Sequence, residues 1–268
     1  MERLRATFNR LRRSRRAVLI PFVMGGDPDL ATTASLLLAL QDAGADVIEV
    51  GIPFSDPLAD GPTIQAASAR ALRRGATPSR VLEAIASVQA QLRVPIVCLS
   101  YWNPIMQFGS DGSPRSFLQA AHAHGVSGLI VPDVPVEEGR VLQDAAAQER
   151  IATIFLAAPT SPPNRLRAIA RASQGFVYYV SVTGTTGARH ALPDDLVRGI
   201  RQLKRMTTKP VCVGFGIATP AQAATVARIA DGVIVGSALV QTIAAASSRD
   251  DAVQRASRFV KRLRSAVG

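Results

Sequence analysis

Short apolar runs alternate with amphipathic stretches along the whole chain. Most of these runs are nearly continuous and do not alternate with polar residues, a pattern typical of parallel strands that are covered on both faces. Eight strands are predicted, at Val18–Val23, Asp46–Gly51, Pro95–Leu99, Gly128–Val131, Thr153–Leu156, Phe176–Val180, Pro210–Gly214 and Gly232–Gly236.

Helical periodicity fills the intervals between the strands. Helices are predicted at residues 2–13, which precede the first strand, and at 30–42, 63–73, 78–91, 114–123, 136–148, 162–171, 193–205 and 219–229. Three of them have a start signal, in which a capping hydroxyl precedes a proline at the first helical position: Thr77-Pro78, Ser161-Pro162 and Thr219-Pro220.

The order of these elements predicts an α/β fold. Eight strands alternating with helices favour a (β/α)8 TIM barrel with an additional N-terminal helix, and an open doubly wound sheet is the alternative. The chain has 268 residues and no linker or low-complexity segment. We therefore expect residues 1–268 to form a single barrel domain, since one barrel of about this length is ordinary.

Composition narrows the classes of protein that fit. Hydrophobic residues make up 47% of the chain, but no run reaches the roughly 18 apolar residues of a membrane span. The N-terminus is arginine-rich and lacks the apolar core of a secretory signal. Cys98 and Cys212 each lie in a predicted buried strand, which indicates small core residues in a reducing compartment. We expect a cytoplasmic protein, and no metal site, since no His/Cys cluster has metal-ligand spacing.

The formal charge of +11 raises the question of nucleic-acid binding. Residues 1–16 carry a net charge of +6 and residues 249–268 a net charge of +4, so the body of the chain is nearly neutral. Both terminal runs interleave basic residues with Leu, Phe or Val, as amphipathic helices with solvated basic faces do. Because no recognition fold accompanies the charge, we expect no nucleic-acid partner and no membrane partner.

The stretch from Gly44 to Ala71 carries the first candidate chemistry. Glu49 lies inside an apolar strand, where a carboxylate is costly to bury without a partner. Asp60 lies at the far end of a proline-stiffened loop, in front of Gly61. The arrangement suggests paired acid and base groups. The alternative is a glutamate at a wet strand end and an ordinary helix-capping aspartate.

Glycines follow the last three predicted strands. The segments are Gly184-Thr-Thr-Gly187, Gly214-Phe-Gly216 and Gly236-Ser237. Barrels often bind phosphate after strands seven and eight, at the N-terminus of a helix, so these segments predict a phosphate site. The alternative is that the glycines only form tight turns.

Other residues near the strand ends complete the predicted site. The polar segment Gly184–Arg189 suggests a lid over the substrate, or else a plain connection. Tyr178 and Tyr179 are adjacent on one strand, so only one of them can face the site. Phe22 could line an apolar pocket or belong to the core. Together these features suit proton transfer or carbon–carbon cleavage on a phosphorylated small molecule with an apolar group.

At these residues the sequence closely resembles the tryptophan synthase alpha subunit family, and the resemblance covers almost the whole chain. The most specific segment is Glu49 through Gln65, EVGIPFSDPLADGPTIQ. Shorter matching segments are PFVMGGDPD at 21–29, VPDVPVEE at 131–138 and GFGI at 214–217. The resemblance implies a (β/α)8 barrel that cleaves indole-3-glycerol phosphate to indole and glyceraldehyde 3-phosphate.

The resemblance also implies roles for individual residues. Glu49 would be the acid/base that helps to protonate indole C3 and handles the side-chain hydroxyl. Asp60 would stabilise positive charge at the indole nitrogen or accept its proton. The substrate-binding positions implied by the family are Phe22, Tyr178, the lid residue Thr186, and the phosphate-binding residues Gly184, Gly216, Gly236 and Ser237.

Family members pair with a pyridoxal-phosphate beta subunit, to which indole passes through an internal tunnel. The resemblance therefore implies an alpha2beta2 heterotetramer and no cofactor in this chain. The partner-facing loops of the family match Pro53, Asp56 and Asn103. Three features depart from the family: Trp102 is a bulky neighbour of that contact, the lid from Ser181 lacks the basic residue that some members carry, and the basic termini are unusual.

Two other functions fit the same residues. The first is a stand-alone indole-3-glycerol phosphate lyase, which would be active without a partner. The second is a non-catalytic regulatory subunit that binds the phosphate ligand, although the presence of both Glu49 and Asp60 argues against it.

Overall fold

The computed structural model describes residues 1–180, 194–214 and 216–268, and its strands form one parallel sheet. The strands are β1 (Val18–Met24), β2 (Ile48–Gly51), β3 (Ile96–Leu99), β4 (Val126–Ile130), β5 (Ala152–Ile154), β6 (Leu156–Ala157), β7 (Val177–Val180), β8 (Val211–Gly214) and β9 (Gly232–Val235). Their hydrogen-bonded order is β5-β4-β3-β2-β1-β9-β8-β7-β6.

The sheet closes on itself at Phe155. This residue alone separates β5 from β6, so the two ends of the hydrogen-bonded order are consecutive in the chain. The predicted strand at Thr153–Leu156 is therefore two short strands, β5 pairing with β4 and β6 pairing with β7. The result is a (β/α)8 barrel whose fifth strand is interrupted, which confirms the predicted fold class over the open sheet. The single-domain organisation of residues 1–268 stays a prediction.

Helices cover the outside of the barrel. Within the described ranges they are α1 (Glu2–Arg13), α2 (Leu30–Asp42), α3 (Pro62–Arg73), α4 (Pro78–Val88), α5 (Trp102–Met106), α6 (Arg115–Ala123), α7 (Arg140–Gln148), α8 (Pro163–Ala172), α9 (Asp194–Met206), α10 (Pro220–Ala227), α11 (Ser237–Ala244) and α12 (Arg249–Val267). Helix α5 was not predicted, because five residues are too few to show helical periodicity.

Two of the three predicted start signals are confirmed. Thr77 accepts a hydrogen bond from the backbone N–H of Arg80, and Thr219 forms a capping box with Gln222. The prediction for Ser161 is wrong. Helix α8 begins at Pro163 without a side-chain cap, and the Ser161 hydroxyl instead accepts from the backbone N–H of Ala158 at 3.1 Å, within the preceding loop.

The core has two parts, one inside the barrel and one between the barrel and its helices. Helix α1 closes the N-terminal end of the barrel by inserting Leu4, Phe8 and Leu11 into the inner core. The ring of Phe8 lies 5.5 Å from that of Phe176, just before β7. This placement confirms the additional N-terminal helix and leaves the opposite end of the barrel free for loops.

Both cysteines are buried and free, as predicted. The two basic terminal runs form the amphipathic helices α1 and α12, whose apolar sides are buried. Among the described residues, no helix is both long and apolar enough to cross a membrane.

Candidate active site

Glu49 lies in β2 with only 1% of its surface exposed. Parallel pairing sets it level with Phe22 of β1 and Val97 of β3. Within the described part of the chain, its buried Oε2 has no hydrogen-bond partner. Burial, and secondly the nearby charge of Asp60, raises the pKa of Glu49 to about 8. Glu49 is therefore mainly protonated at neutral pH and is not a solvated residue at a wet strand end.

Asp60 lies in the loop between β2 and α3 and is half-buried. Burial raises the pKa of Asp60 to about 6, and a hydrogen bond with the Tyr101 hydroxyl opposes this shift. The helix-capping alternative is not supported, because the N-cap of α3 is Gly61 and has no side-chain cap. At pH 7 the two carboxyl groups thus differ in protonation, with Glu49 mostly neutral and Asp60 mostly charged.

The loop that carries Asp60 is held by side chains of α3. The Ser68 hydroxyl donates to the carbonyl of Phe54 and accepts from its N–H, both at 2.8 Å. The Gln65 amide donates to the backbone carbonyl of Asp60 at 2.9 Å. These bonds fix both ends of the loop, so the position of Asp60 relative to β2 is determined by the fold.

Tyr101 is a site residue that the sequence did not reveal. It is 2% exposed, and its ring lies 5.4 Å from the ring of Phe54. Its hydroxyl accepts a hydrogen bond from the N–H of Ala59 at 3.0 Å and interacts with Asp60. The only available signal was an aromatic residue two positions after β3, which a core residue would give equally well.

Tyr178 faces the interior of the barrel and Tyr179 faces the helices, as their adjacent positions require. Burial, and secondly the charge of Glu49, raises the pKa of Tyr178. A Cβ at Gly214 would lie 2.7 Å from the Tyr178 hydroxyl oxygen, so this glycine makes room for the tyrosine.

Phe22 is 5% exposed and connects two parts of the site. A Cβ at Gly51 would lie 2.7 Å from its ring, and a Cβ at Gly236 would lie 3.7 Å from its own Cβ. Phe22 therefore packs between the end of β2 and the start of α11. It belongs to the core, and it also forms an apolar wall beside Glu49.

Of the predicted phosphate-binding segments, Gly236-Ser237 lies in the described structure, and of Gly214-Phe-Gly216 the two glycines do. Helix α11 begins at Ser237 after Gly236 and has no side-chain cap, which leaves the N–H groups of its first turn available to an anion. Ser237 and Gly216 are exposed, and no atom lies within 4 Å of a Cβ built on Gly216. Gly184, Thr186 and the rest of the predicted lid lie outside the described residues.

The predicted partner-facing residues differ in accessibility. Asp56 and Asn103 are exposed, but Pro53 is buried and can only shape the loop. Leu58, two residues after Asp56, is 92% exposed. The N–H of Trp102 donates to both oxygens of Asp133, at 3.0 and 3.1 Å, which ties α5 to the loop after β4.

The described residues contain no group of three or more His, Cys, Asp or Glu side chains placed to hold a metal ion. The site offers instead a neutral acid, a charged carboxylate, a buried tyrosine, an apolar wall and an uncapped helix N-terminus. This set can exchange protons with an aromatic ring and bind an anionic tail at the same time.

Comparison with known proteins gives one family. The family model described as tryptophan synthase alpha chain matches residues 8–268. The chain is similar to the tryptophan synthase alpha chain of Gloeobacter violaceus, with 50% identity over 265 residues, covering 98% of this chain and 94% of the relative. It is also 50% identical over 238 residues to that of a Picosynechococcus species, covering 88% and 89%.

Solved structures agree with this result. The alpha chain from Legionella pneumophila superposes with a TM-score of 0.89 at 35% identity, over 99% of this chain and 97% of that chain. A chain of Mycobacterium tuberculosis tryptophan synthase superposes with a TM-score of 0.88 at 38% identity, over 98% and 97%.

Proposed function

Since the chain belongs to the tryptophan synthase alpha chain family, a family of lyases in tryptophan synthesis, we propose that it cleaves indole-3-glycerol phosphate to indole and glyceraldehyde 3-phosphate. The observation that carries this proposal is the pair of carboxyl groups at the C-terminal end of the barrel. Glu49 is buried with a pKa of about 8, and Asp60 has a pKa of about 6.

The reaction needs two proton movements and no redox partner. A proton is added to C3 of indole, and the ring nitrogen takes the positive charge. The hydroxyl on the side-chain carbon bonded to C3 loses its proton. The bond between C3 and that carbon then breaks, its electron pair returns to the ring, and the carbon becomes the aldehyde of glyceraldehyde 3-phosphate.

Glu49 can serve both proton movements. It is protonated at neutral pH, so it can donate to C3, and the resulting carboxylate can then accept the hydroxyl proton. Asp60 is mostly ionised at the same pH and can accept a hydrogen bond from the indole N–H, stabilising the positive charge. Burial lowers the local dielectric and strengthens this electrostatic effect.

The rest of the site suits the two ends of the substrate. Phe22 and Tyr178 would contact the indole ring. The N–H groups at Gly236 and Ser237, together with Gly216, would bind the phosphate, and Gly184 and Thr186 would complete the site as the family resemblance implies. No cofactor is proposed in this chain.

We also propose that indole passes to a pyridoxal-phosphate beta subunit in an alpha2beta2 complex. The exposed residues Asp56 and Leu58 belong to the loop that carries Asp60, and the exposed Asn103 follows Tyr101 by two positions. The family resemblance implies a partner at these loops. A partner at this surface would contact the loop that carries Asp60 and the loop that carries Tyr101.

The test is indole release from indole-3-glycerol phosphate by the purified chain, alone and with a beta subunit. We expect weak activity alone and a large rise with the partner. Strong activity that the beta subunit does not change would favour a stand-alone lyase. If the chain binds indole-3-glycerol phosphate but releases no indole in either condition, the proposed reaction is rejected in favour of a binding subunit.

A further inference from the structure

A groove of about 680 Å³ lies at the N-terminal end of the barrel, opposite the candidate active site. One face of α1 forms its first wall through Arg3, Thr7 and Arg10, which share one side of the helix. The turn between α2 and β2, the segment before β3 and helix α12 form the other walls. Four segments that are distant in sequence therefore meet here.

Arginines from three of these segments, and Arg16 from the turn between α1 and β1, line the groove. They are Arg3, Arg10, Arg16, Arg93 and Arg264, and the groove also contains one carboxylate, Asp46. A second carboxylate, Asp42, pairs with Arg93 at 2.9 Å from outside the groove. Five guanidinium groups against these two carboxylates leave an excess of positive charge.

The floor of the groove is rigid. Arg264 donates to Asp46 at 2.7 Å, and the same carboxylate oxygen accepts from the N–H of Leu19 at 3.0 Å. The stem of Arg264 crosses Gly44, where a Cβ would lie 2.7 Å from Arg264 Cγ. Gly44 also has a φ of +97°, a conformation that residues with a side chain rarely adopt. A substitution at Gly44 would therefore cause both a steric clash with Arg264 and backbone strain. The fold thus keeps one guanidinium half-buried at the base of the groove.

The arginines around this floor repel one another. Burial lowers the pKa of Arg264, and the charge of Arg16 lowers it further, against the opposing effect of Asp46. Arg3 is held by the backbone carbonyl oxygen of Leu92 at 2.7 Å, a neutral contact that does not reduce its charge, and Arg16 donates to an oxygen of Gly268 at 2.7 Å. Within the described ranges, no hydrogen bond or ion pair engages the guanidinium of Arg10. An anion bound here would relieve this repulsion.

We propose that this groove is a second anion site, which binds a small molecule carrying a diphosphate or two neighbouring phosphate groups. Guanidinium groups bind phosphate oxygens through paired hydrogen bonds, and several of them around one concave surface favour a ligand with more than one phosphate. The volume is within the range of ordinary small-molecule sites. The site is independent of the proposed reaction, because it lies at the other end of the barrel.

The lining distinguishes this ligand from a nucleic acid. Among the described residues that line the groove, none is aromatic, so the stacking that holds single-stranded bases is missing. Both α1 and α12 contribute walls to this concave groove, whereas duplex binding uses an extended surface or an inserted helix. A compact polyanion fits this shape better than a polymer.

The test uses inorganic pyrophosphate as the probe, titrated into the full chain by calorimetry at constant ionic strength. The double variant Arg10→Gln/Arg93→Gln removes two exposed groove arginines, and Arg5→Gln/Arg12→Gln removes the same charge from exposed positions on α1 outside the groove. We expect the first to weaken pyrophosphate binding by about tenfold or more and the second by about twofold or less. Orthophosphate should bind at least about tenfold more weakly than pyrophosphate.

Three results would overturn the proposal. The first is the absence of measurable pyrophosphate binding. The second is equal weakening by both double variants, which would indicate a diffuse basic surface. The third is loss of pyrophosphate binding in Ser237→Glu, because that change repels anions only at the opposite end of the barrel. Indole release by the groove variants is measured in parallel, and since neither arginine lies near Glu49, a failure of the proposed reaction would not affect this result.

Discussion

Asp46 and Glu49 are only three residues apart in the chain, yet they show two opposite ways of burying a carboxylate. Asp46, at the N-terminal end of the barrel, accepts hydrogen bonds from Arg264 and from the N–H of Leu19. Glu49, near the C-terminal end, has a buried oxygen with no partner in the described structure, and its pKa is raised to about 8. The first carboxylate stabilises the fold through its partners, and the second is kept ready for proton transfer.

The two ends of the barrel differ in the same way. At the N-terminal end, α1 inserts Leu4, Phe8 and Leu11 into the barrel and its arginines line a basic groove. At the C-terminal end, β2 and the loop after it bring together two carboxyl groups whose pKa values are raised by burial. The comparison teaches that burial alone does not identify a functional carboxylate, because its partners decide whether burial stabilises the charged form or raises the pKa.

The largest expected effect is on turnover, in Glu49→Gln. We expect indole release to fall by about a thousandfold with little change in KM, because the amide can neither donate to C3 nor accept the hydroxyl proton. Steady-state kinetics with indole-3-glycerol phosphate checks this. Asp46→Asn is the paired variant and should keep near-normal turnover, and similar losses in both variants would contradict the comparison.

Asp46→Asn should instead lower stability, by about 3 kcal/mol in the free energy of unfolding. The change leaves the half-buried Arg264 without its carboxylate, although the amide oxygen can still accept from Leu19. Urea unfolding measures the effect. Asp42→Asn removes a carboxylate from an exposed pair with Arg93 and should cost less than about 1 kcal/mol. Equal losses in the free energy of unfolding of the two variants would show that burial of the Asp46–Arg264 pair makes no difference to stability.

Glu49→Gln should raise stability, and more so at higher pH. The folded protein binds the Glu49 proton more tightly than the unfolded chain, since its pKa is about 8 against an ordinary value of 4.5. The wild type therefore loses stability as pH rises from about 4.5 to 8, and the variant does not. We expect an advantage on the order of 4 kcal/mol at pH 8 that vanishes near pH 4.

Unfolding in urea at several pH values tests this, with Glu83→Gln as the control at an exposed carboxylate of α4. The control should show no comparable gain with pH. If Glu49→Gln is no more stable than wild type at pH 8, the buried carboxyl has a partner that offsets its burial.

The smallest expected effect is a shift in pH dependence, in Tyr101→Phe. The proposed reaction needs Asp60 ionised and Glu49 protonated, so kcat/KM should be bell-shaped with limbs near pH 6 and 8. The Tyr101 hydroxyl lowers the pKa of Asp60. Its removal should move the acidic limb upward by about half a unit to one unit and reduce activity at pH 6 by about twofold to fivefold.

A purely structural role of Tyr101 would lower kcat equally at every pH. Tyr179→Phe is the control, because that hydroxyl is buried on the helix side of the barrel without a hydrogen-bond partner in the described ranges. The Tyr179→Phe variant should leave the pH dependence of kcat/KM unchanged.

Local patterns in the chain predicted much of the fold. The continuous apolar runs predicted the strands and their parallel arrangement, and the start signals at Thr77 and Thr219 were confirmed. The signal at Ser161 failed because the same hydroxyl could bond within its own loop. Such competition between a cap and a turn depends on local geometry that composition does not specify.

The candidate site was only partly predictable. Glu49 and Asp60 were apparent from a carboxylate in an apolar strand and the loop that follows, and the family resemblance gave them roles. Tyr101 was missed, since its effect on Asp60 depends on a contact between loops 41 positions apart in the chain. The burial of Pro53 was missed for the same reason.

By itself the sequence determined the alternation of strands and helices, the amphipathic character of α1 and α12, and the presence of an unusual carboxylate in β2. Only the tertiary structure decided that the barrel closes at Phe155, that Asp46 has a partner and Glu49 does not, and that arginines from distant segments share one groove. The reason is physical. Periodicity and capping act over a few residues, whereas pairing, desolvation and charge repulsion depend on which segments the closed barrel brings into contact.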